Sequence, residues 1–281
     1  MRVSGLSPRQ RLAWRIAAYI ALGLLLLVFL APLLWILGLS FKSRLQVFAV
    51  PPLLLWWPTL DNYRAVLGRG EFLTAFANSL TVSAGAVALS LAVGVPAAYA
   101  FARIQFRGRS FLFFSLLVMR MLPPIAVLVP LYALFNKAGL VNTRFGLVAA
   151  YTTFSLPLVV WIMRGFFEDL PQELEEAARV DGATRAGAFL RVALPLARPG
   201  LVTAAILSLL LAWNDFLFAA VLTSNSTQTL PVLLAGYAGA DTGVDWGPIT
   251  ASGALVVLPV ILFSFAVQRH LVTGLSSGAI K

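Results

Sequence analysis

The 281-residue sequence has no cysteine and one histidine. Without cysteine there is no disulfide framework, redox pair or thiolate metal site. A lone His270 cannot build a metal site, and its place in the last apolar segment reads as a solvated interfacial side chain. Charge is also scarce: 11% of residues are Asp, Glu, Lys or Arg, against about 25% in a soluble domain. No G-x-x-x-x-G-K-[ST] sequence occurs, so the chain cannot build a P-loop for ATP. No paired carboxylates, Ser/His/Asp set or metal cluster is identifiable in its apolar segments, and an intramembrane protease fails for want of a catalytic dyad. The chain is therefore not an enzyme by itself.

What is present is apolar. Hydrophobic residues make up 60% of the chain and aromatic residues 12%, with seven tryptophans. So little polar surface cannot cover a water-facing globule, whereas lipid replaces water around apolar faces. The formal net charge is +10. The basic residues lie between apolar runs rather than on one domain, which reads as membrane topology and not as a nucleic-acid surface.

Six segments reach the roughly 20 mostly apolar residues that a spanning helix needs: about 16–39, 73–100, 111–133, 146–164, 200–222 and 247–267. The first has a basic front, but its run from Ile16 to Leu39 is longer than the core of a signal peptide, so it reads as a retained helix. The fourth is short and contains Pro157, which predicts a kink. With the N-terminus inside, fourteen Lys and Arg fall on inner segments and six on outer loops. That bias puts both termini in the cytoplasm. The Pro- and Trp-rich segment of the first outer loop, about 40–72, reads as lying at the interface. The expected fold is all-α: a polytopic membrane protein with six transmembrane helices, one domain over residues 1–281, and a cytoplasmic coupling-helix loop over 168–200.

That loop holds six of the eleven acidic residues: Glu168, Asp169, Glu173, Glu175, Glu176 and Asp181. Pro171 suits the first position of a helix, and the early glutamates favour its N-terminus. Gly182 suits a left-handed stop, and Thr184 suits the cap of a second short helix running through Phe189 to Pro195. The small face of Ala177, Ala178, Gly182 and Ala183 gains little in water, but it allows close approach to another protein.

The stretch "EEAARVDGATRAGAFLRVALPLARPG" resembles the EAA motif of the permeases of binding-protein-dependent ABC importers. It matches at Glu176, Ala177, Ala178, Asp181, Gly182, Ala183, Phe189, Leu194 and Pro195, while Arg179 and Arg185 add positive charge to the surface. "PTLDNYRAV", "NSLTVS", "PLYALFNKAGLVNT", "AWNDFLFA" and "QRHLVTGLSSGAIK" resemble the carbohydrate-uptake branch, in particular the second permease of maltose- and trehalose-type systems. The resemblance implies a coupling helix docked in a cleft of an ATP-binding subunit, with Glu176, Ala177, Ala178, Asp181, Gly182 and Ala183 at the contact. It implies half of a translocation path for a di- or oligosaccharide in the bacterial inner membrane, worked by alternating access. The implied partners are a second permease, a homodimeric ATP-binding subunit that holds ATP and Mg, and a periplasmic or lipid-anchored substrate-binding protein. No cofactor is implied in this chain, and no nucleic acid. The C-terminal Ser276 to Lys281 is implied to reach toward the ATPase interface; the alternative is a frayed tail.

Other readings stay beside this one: a permease of the same architecture for another small polar solute, a secondary transporter, or a channel. A secondary transporter needs coupling-ion carboxylates near the midplane, and only Asp215 offers one. A channel needs a readable filter, which is missing. Side chains suited to a sugar path are Tyr151, Thr152, Thr153 and Ser155 on the fourth segment and Trp213 and Asn214 on the fifth. The alternative for each is helix–helix packing. Arg120 and Asp215 are charges within spans, where each costs about 2.5–3.5 kcal/mol on the insertion scale, so neither faces lipid. Counted along continuous helices, their depths differ by roughly 7 Å. The expectation is a contact between them, direct or through water; the alternative is that each faces a wet cavity.

Overall fold

A computed structural model describes residues 8–238 and 246–277. Among them every regular element is helical. In order these are α1 (Pro8–Ser40), α2 (Arg44–Val47), α3 (Asp61–Gly68), α4 (Gly70–Arg103), α5 (Arg109–Met121), α6 (Pro124–Lys137) and α7 (Arg144–Asp169). Then follow α8 (Gln172–Val180), α9 (Arg185–Ala188), a π-turn over Phe189–Ala193, α10 (Leu194–Leu196), α11 (Arg198–Trp213), α12 (Leu217–Leu222), α13 (Leu230–Ala238) and α14 (Trp246–Ser277). The side chain of His270 and the end of the tail, 278–281, lie outside the described residues.

Among the described residues four helices are long and apolar enough to cross a bilayer, and the number rises to six when each of two bent pairs is counted as one span. The all-α, six-span reading therefore holds, with two corrections of detail. The third span is not one helix: α5 and α6 meet at 101°. Leu122 precedes a proline and is pushed to an extended backbone with ψ 133°, and Pro123 is extended too. Pro124 then opens α6 from a position that needs no N–H. The fifth apolar run is also broken. α11 ends at Trp213, and α12 starts only at Leu217. On its other side α11 meets the helical segment Arg185–Leu196 at 74°. The fourth span is longer than its apolar run, because α7 extends through Arg144–Asp169 and passes Pro157 unbroken.

The described residues fall into two compact units, those within 1–68 with 237–255 and those within 69–236 with 256–281. In the first, Leu24, Leu25, Leu26 and Leu27 cover all sides of α1 and are all exposed. A helix apolar all round is a membrane span rather than a surface helix. The same unit ties down the loop after α1. Lys42 is buried, donates to the Leu53 carbonyl at 2.8 Å, and lies 4.3 Å from the Trp56 ring centre. Asn62 donates to the carbonyls of Ser40 and Lys42 at 2.9 and 2.8 Å. Trp57, Leu54 and Leu55 remain exposed.

The second unit is built on α4, α7 and α11. Their contacts use small residues: Ala75, Ala86, Ala98, Ala150 and Ala204 are fully buried. A methyl built on Gly94 would stand 2.7 Å from Val159 Cγ1, and one on Gly200 2.6 Å from the Phe166 ring. Small residues let membrane helices approach until their backbones nearly touch, which is where dispersion and packing energy come from in lipid.

Candidate functional site

The loop over 168–200 forms as its residues dictate. Pro171 stands at the N-cap of α8, and Glu173 and Glu175 lie in its first turn. Gly182 has φ +93°, the left-handed stop. The Ala183 N–H bonds back to the Ala178 carbonyl at 2.9 Å, closing the C-terminal turn. The Thr184 hydroxyl then accepts from the Gly187 N–H at 3.1 Å and caps α9. Glu176, Ala177, Asp181 and Gly182 are exposed, and Ala178 and Ala183 half-buried. Val180 is 87% exposed, beside Glu176 and Ala177 on the same helical face.

The inward face of α8 is fixed by one carboxylate. Glu175 is buried; its Oε1 accepts from Arg103 Nε at 2.8 Å, and its Oε2 accepts from the Tyr99 hydroxyl. The Arg103 guanidinium also donates to the Leu170 carbonyl at 2.8 Å, so it holds both ends of the turn into α8. Beneath it the Tyr99 ring packs edge-on against Phe167 at 5.4 Å and tilted against Phe189 at 4.6 Å. Phe189, the aromatic of the loop motif, thus joins the loop's second helical segment to α4 and α7. Nearby Glu168 pairs with Arg164 at 2.7 Å and Arg109 at 3.6 Å. Sequence reasoning placed Glu175 only among the acidic residues of the first turns. Its partners lie 72 and 76 residues earlier, a separation that no local pattern reports.

A second feature lies where the fifth run breaks. Arg120, Pro124, Tyr151, Phe154, Ser155, Leu211, Asp215 and Phe218 line a cavity of about 290 Å³. A cavity of about 680 Å³ adjoins it and shares Arg120, Leu211 and Asp215, with Asn214 on its wall. Arg120 and Asp215 therefore face common space, but among the described residues they form no direct ion pair. Asp215 Oδ1 instead accepts from the N–H groups of Phe218 and Ala219 at 3.1 and 3.3 Å, capping α12. The direct contact is corrected for a geometric reason. The depth count assumed continuous helices, and both residues sit beside breaks.

The other path residues divide. The Tyr151 hydroxyl stands 3.5 Å from the Asp215 main-chain carbonyl, and Ser155 is buried against the cavity. Thr152 bonds back to Val148 at 2.8 Å and Thr153 to Ala149 at 3.0 Å. Trp213 is buried edge-on against Phe76, at 6.1 Å, and lines neither cavity. Asn214 bonds back to Leu210 at 2.8 Å.

Two asparagines of the resembling motifs act as clamps. Asn78 is fully buried, donates to the carbonyls of Ser226 and Gln228 at 3.1 and 3.0 Å, and accepts from Arg144 at 2.8 Å. Asn142, at φ +60°, accepts from Ser224 Oγ at 2.6 Å and from the Ser224 N–H at 3.1 Å. Among the described residues no three His, Asp or Glu side chains converge on a metal-sized space.

Comparison with known proteins places these features in context. The family model described as "Binding-protein-dependent transport system inner membrane component" matches residues 90–277. The trehalose transport system permease protein SugB of Mycobacterium tuberculosis is 37% identical over 98% of this chain and 100% of its own length. The trehalose/maltose transport system permease protein MalG of Thermococcus litoralis is 32% identical, over 97% and 99% of the two chains. Among solved structures, a bacterial ABC transporter involved in the import of the acidic polysaccharide alginate superposes with a TM-score of 0.80. That chain is 27% identical, and the match covers 95% of this chain and 99% of that one.

Proposed function

The chain belongs to the family of binding-protein-dependent transport system inner membrane components, and from that premise we propose that it is one of two permease subunits of an ATP-driven importer of a di- or oligosaccharide. The saccharide reading is supported by relatives named for trehalose and maltose transport that align along nearly the whole chain. In this reading a homodimeric ATPase holds ATP and Mg, a second permease completes the path, and a periplasmic or lipid-anchored binding protein delivers the sugar. Both termini face the cytoplasm of a bacterial inner membrane, and residues 168–200 face the ATPase.

The observation that carries the proposal is the two-sided build of α8. Its outward side leaves Glu176, Ala177 and Val180 exposed, while Glu175 binds it inward to Tyr99 and Arg103 at the end of α4. A solvated connection needs no such tether. A docked helix does, because a push on the outer face must reach the spans without being lost in loop motion. Closure of the ATPase dimer then moves α8, the tether moves α4, and the close-packed α4, α7 and α11 change the side from which the path is open. Glu176, Ala177, Ala178, Asp181, Gly182 and Ala183 form the docking face.

Purified alone, the chain turns over no ATP. Assembled with the ATPase dimer and second permease in liposomes, it supports ATP turnover and sugar uptake stimulated by loaded binding protein. ATP turnover by the isolated chain, or uptake without the ATPase, refutes the proposal.

A further inference from the structure

The two adjoining open clefts offer about 290 and 680 Å³, in the roughly 300–1,000 Å³ range of small-molecule sites. Their walls are apolar, with few polar groups: Arg120, Tyr151, Ser155, Asn214 and Asp215. Arg120 is exposed near the end of α5 and, among the described residues, has no ion-pair partner. A guanidinium within a span turns from lipid toward a partner or water. Asp215 uses Oδ1 on the α12 cap, and its carboxylate also has the Tyr151 hydroxyl as a side-chain hydrogen-bonding neighbour. Ser155 is 2% exposed, and its hydroxyl makes no hydrogen bond among the described residues. Phe154 and Phe218, with ring centres 4.5 Å apart, supply an aromatic wall.

We propose that this cleft is a saccharide subsite carried by this chain itself, where the Asp215 carboxylate accepts and Arg120 donates hydrogen bonds to ring hydroxyls against the Phe154–Phe218 wall. The inference rests on the importer reading given above. One positive and one negative group face the same space, so neither an anion nor a cation is selected. A neutral polyhydroxylated ring satisfies both, because each hydroxyl donates and accepts. Tyr151 and Ser155 add two more hydroxyls at the floor. Few convergent polar groups in an apolar cleft fix orientation while leaving affinity modest, which suits a ligand that must leave.

The chain has no cysteine, so Ser155→Cys places one thiol in the subsite of a transporter assembled with cysteine-free partners. Thr153→Cys is the reference, because Thr153 is exposed, bonds back to Ala149 and lines neither cavity. Trehalose, maltose and diacetylchitobiose are supplied with binding protein and ATP in liposomes, and uptake is measured beside maleimide labelling. With a sugar that is taken up, at about ten times its half-protecting concentration, Ser155→Cys labels about tenfold more slowly, and Thr153→Cys is unchanged. Adding Asp215→Asn removes the protection; its amide oxygen keeps the α12 cap. Leu211→Cys, on α11 across the cavity, replaces Ser155→Cys if that variant does not assemble. Equal labelling with and without a transported sugar overturns the subsite, as does a thiol that no reagent reaches or that is blocked only by assembly with the second permease. In each of those cases, uptake leaves the importer reading standing. Uptake of none of the three sugars overturns that reading, and the subsite with it.

Discussion

Arg103 Nε and Glu175 Oε1 stand 2.8 Å apart, both side chains about nine-tenths buried, and join the end of α4 to α8. Glu175→Leu leaves the guanidinium buried and unpaired, a defect on the order of 3 kcal/mol. The expected result is a lower unfolding midpoint in detergent and loss of sugar uptake. Arg103→Gln with Glu175→Gln recovers part of the stability, since no unpaired charge remains. The cycle of single and double variants reads out the coupling, and stabilities that simply add remove the pair from the account.

Gly182 sits at φ +93°, where a β-branched side chain is strained. Gly182→Val reduces uptake while membrane insertion and expression survive. Gly182→Asn is milder, because asparagine enters the left-handed region more readily. The comparison is made on reconstituted transporter at matched protein levels. Normal uptake by the valine variant removes the loop from the coupling path.

For Arg120 and Asp215, the absence of a direct contact predicts independence in stability. Arg120→Gln and Asp215→Asn add to within about 0.5 kcal/mol in chemical unfolding of the solubilised complex. A larger coupling reveals a bridging water between them.

Asn78→Ala removes the donor to two loop carbonyls and the acceptor of Arg144. The cost is about 1–3 kcal/mol. Limited proteolysis then cuts near Ser224–Gln228 sooner than in the unaltered chain.

The six apolar runs, the Gly182 stop and the Thr184 cap were legible because each follows from a local rule: length against bilayer thickness, left-handed φ, or a side-chain oxygen one turn ahead of an N–H. The role of Glu175 was not legible, since an acidic residue early in a helix looks the same whether it meets water or a buried arginine. Arg120 and Asp215 show the opposite error. Their charges drew the eye correctly to a shared cavity, but 1.5 Å per residue measures depth only along an unbroken helix. Pro123 and Pro124 interrupt the helical ladder by local chemistry, but the size of the turn there, 101°, belongs to tertiary packing. Trp213 read as a sugar platform by residue type, and its burial against Phe76 was settled by a neighbour on another helix.

The fit of Gly94 against Val159 leaves no slack, since even a methyl there would stand 2.7 Å from a valine carbon. Two ridged surfaces meshed at that distance cannot slip lengthwise past each other without first separating. The packing therefore favours α4 and α7 moving together as a single lever over a ratchet-like slide between them. A change of shape in this unit is then a swing of the whole lever, with angle available at the bend after Leu196 and at the joint after Met121, where Pro123 and Pro124 leave the helical ladder open.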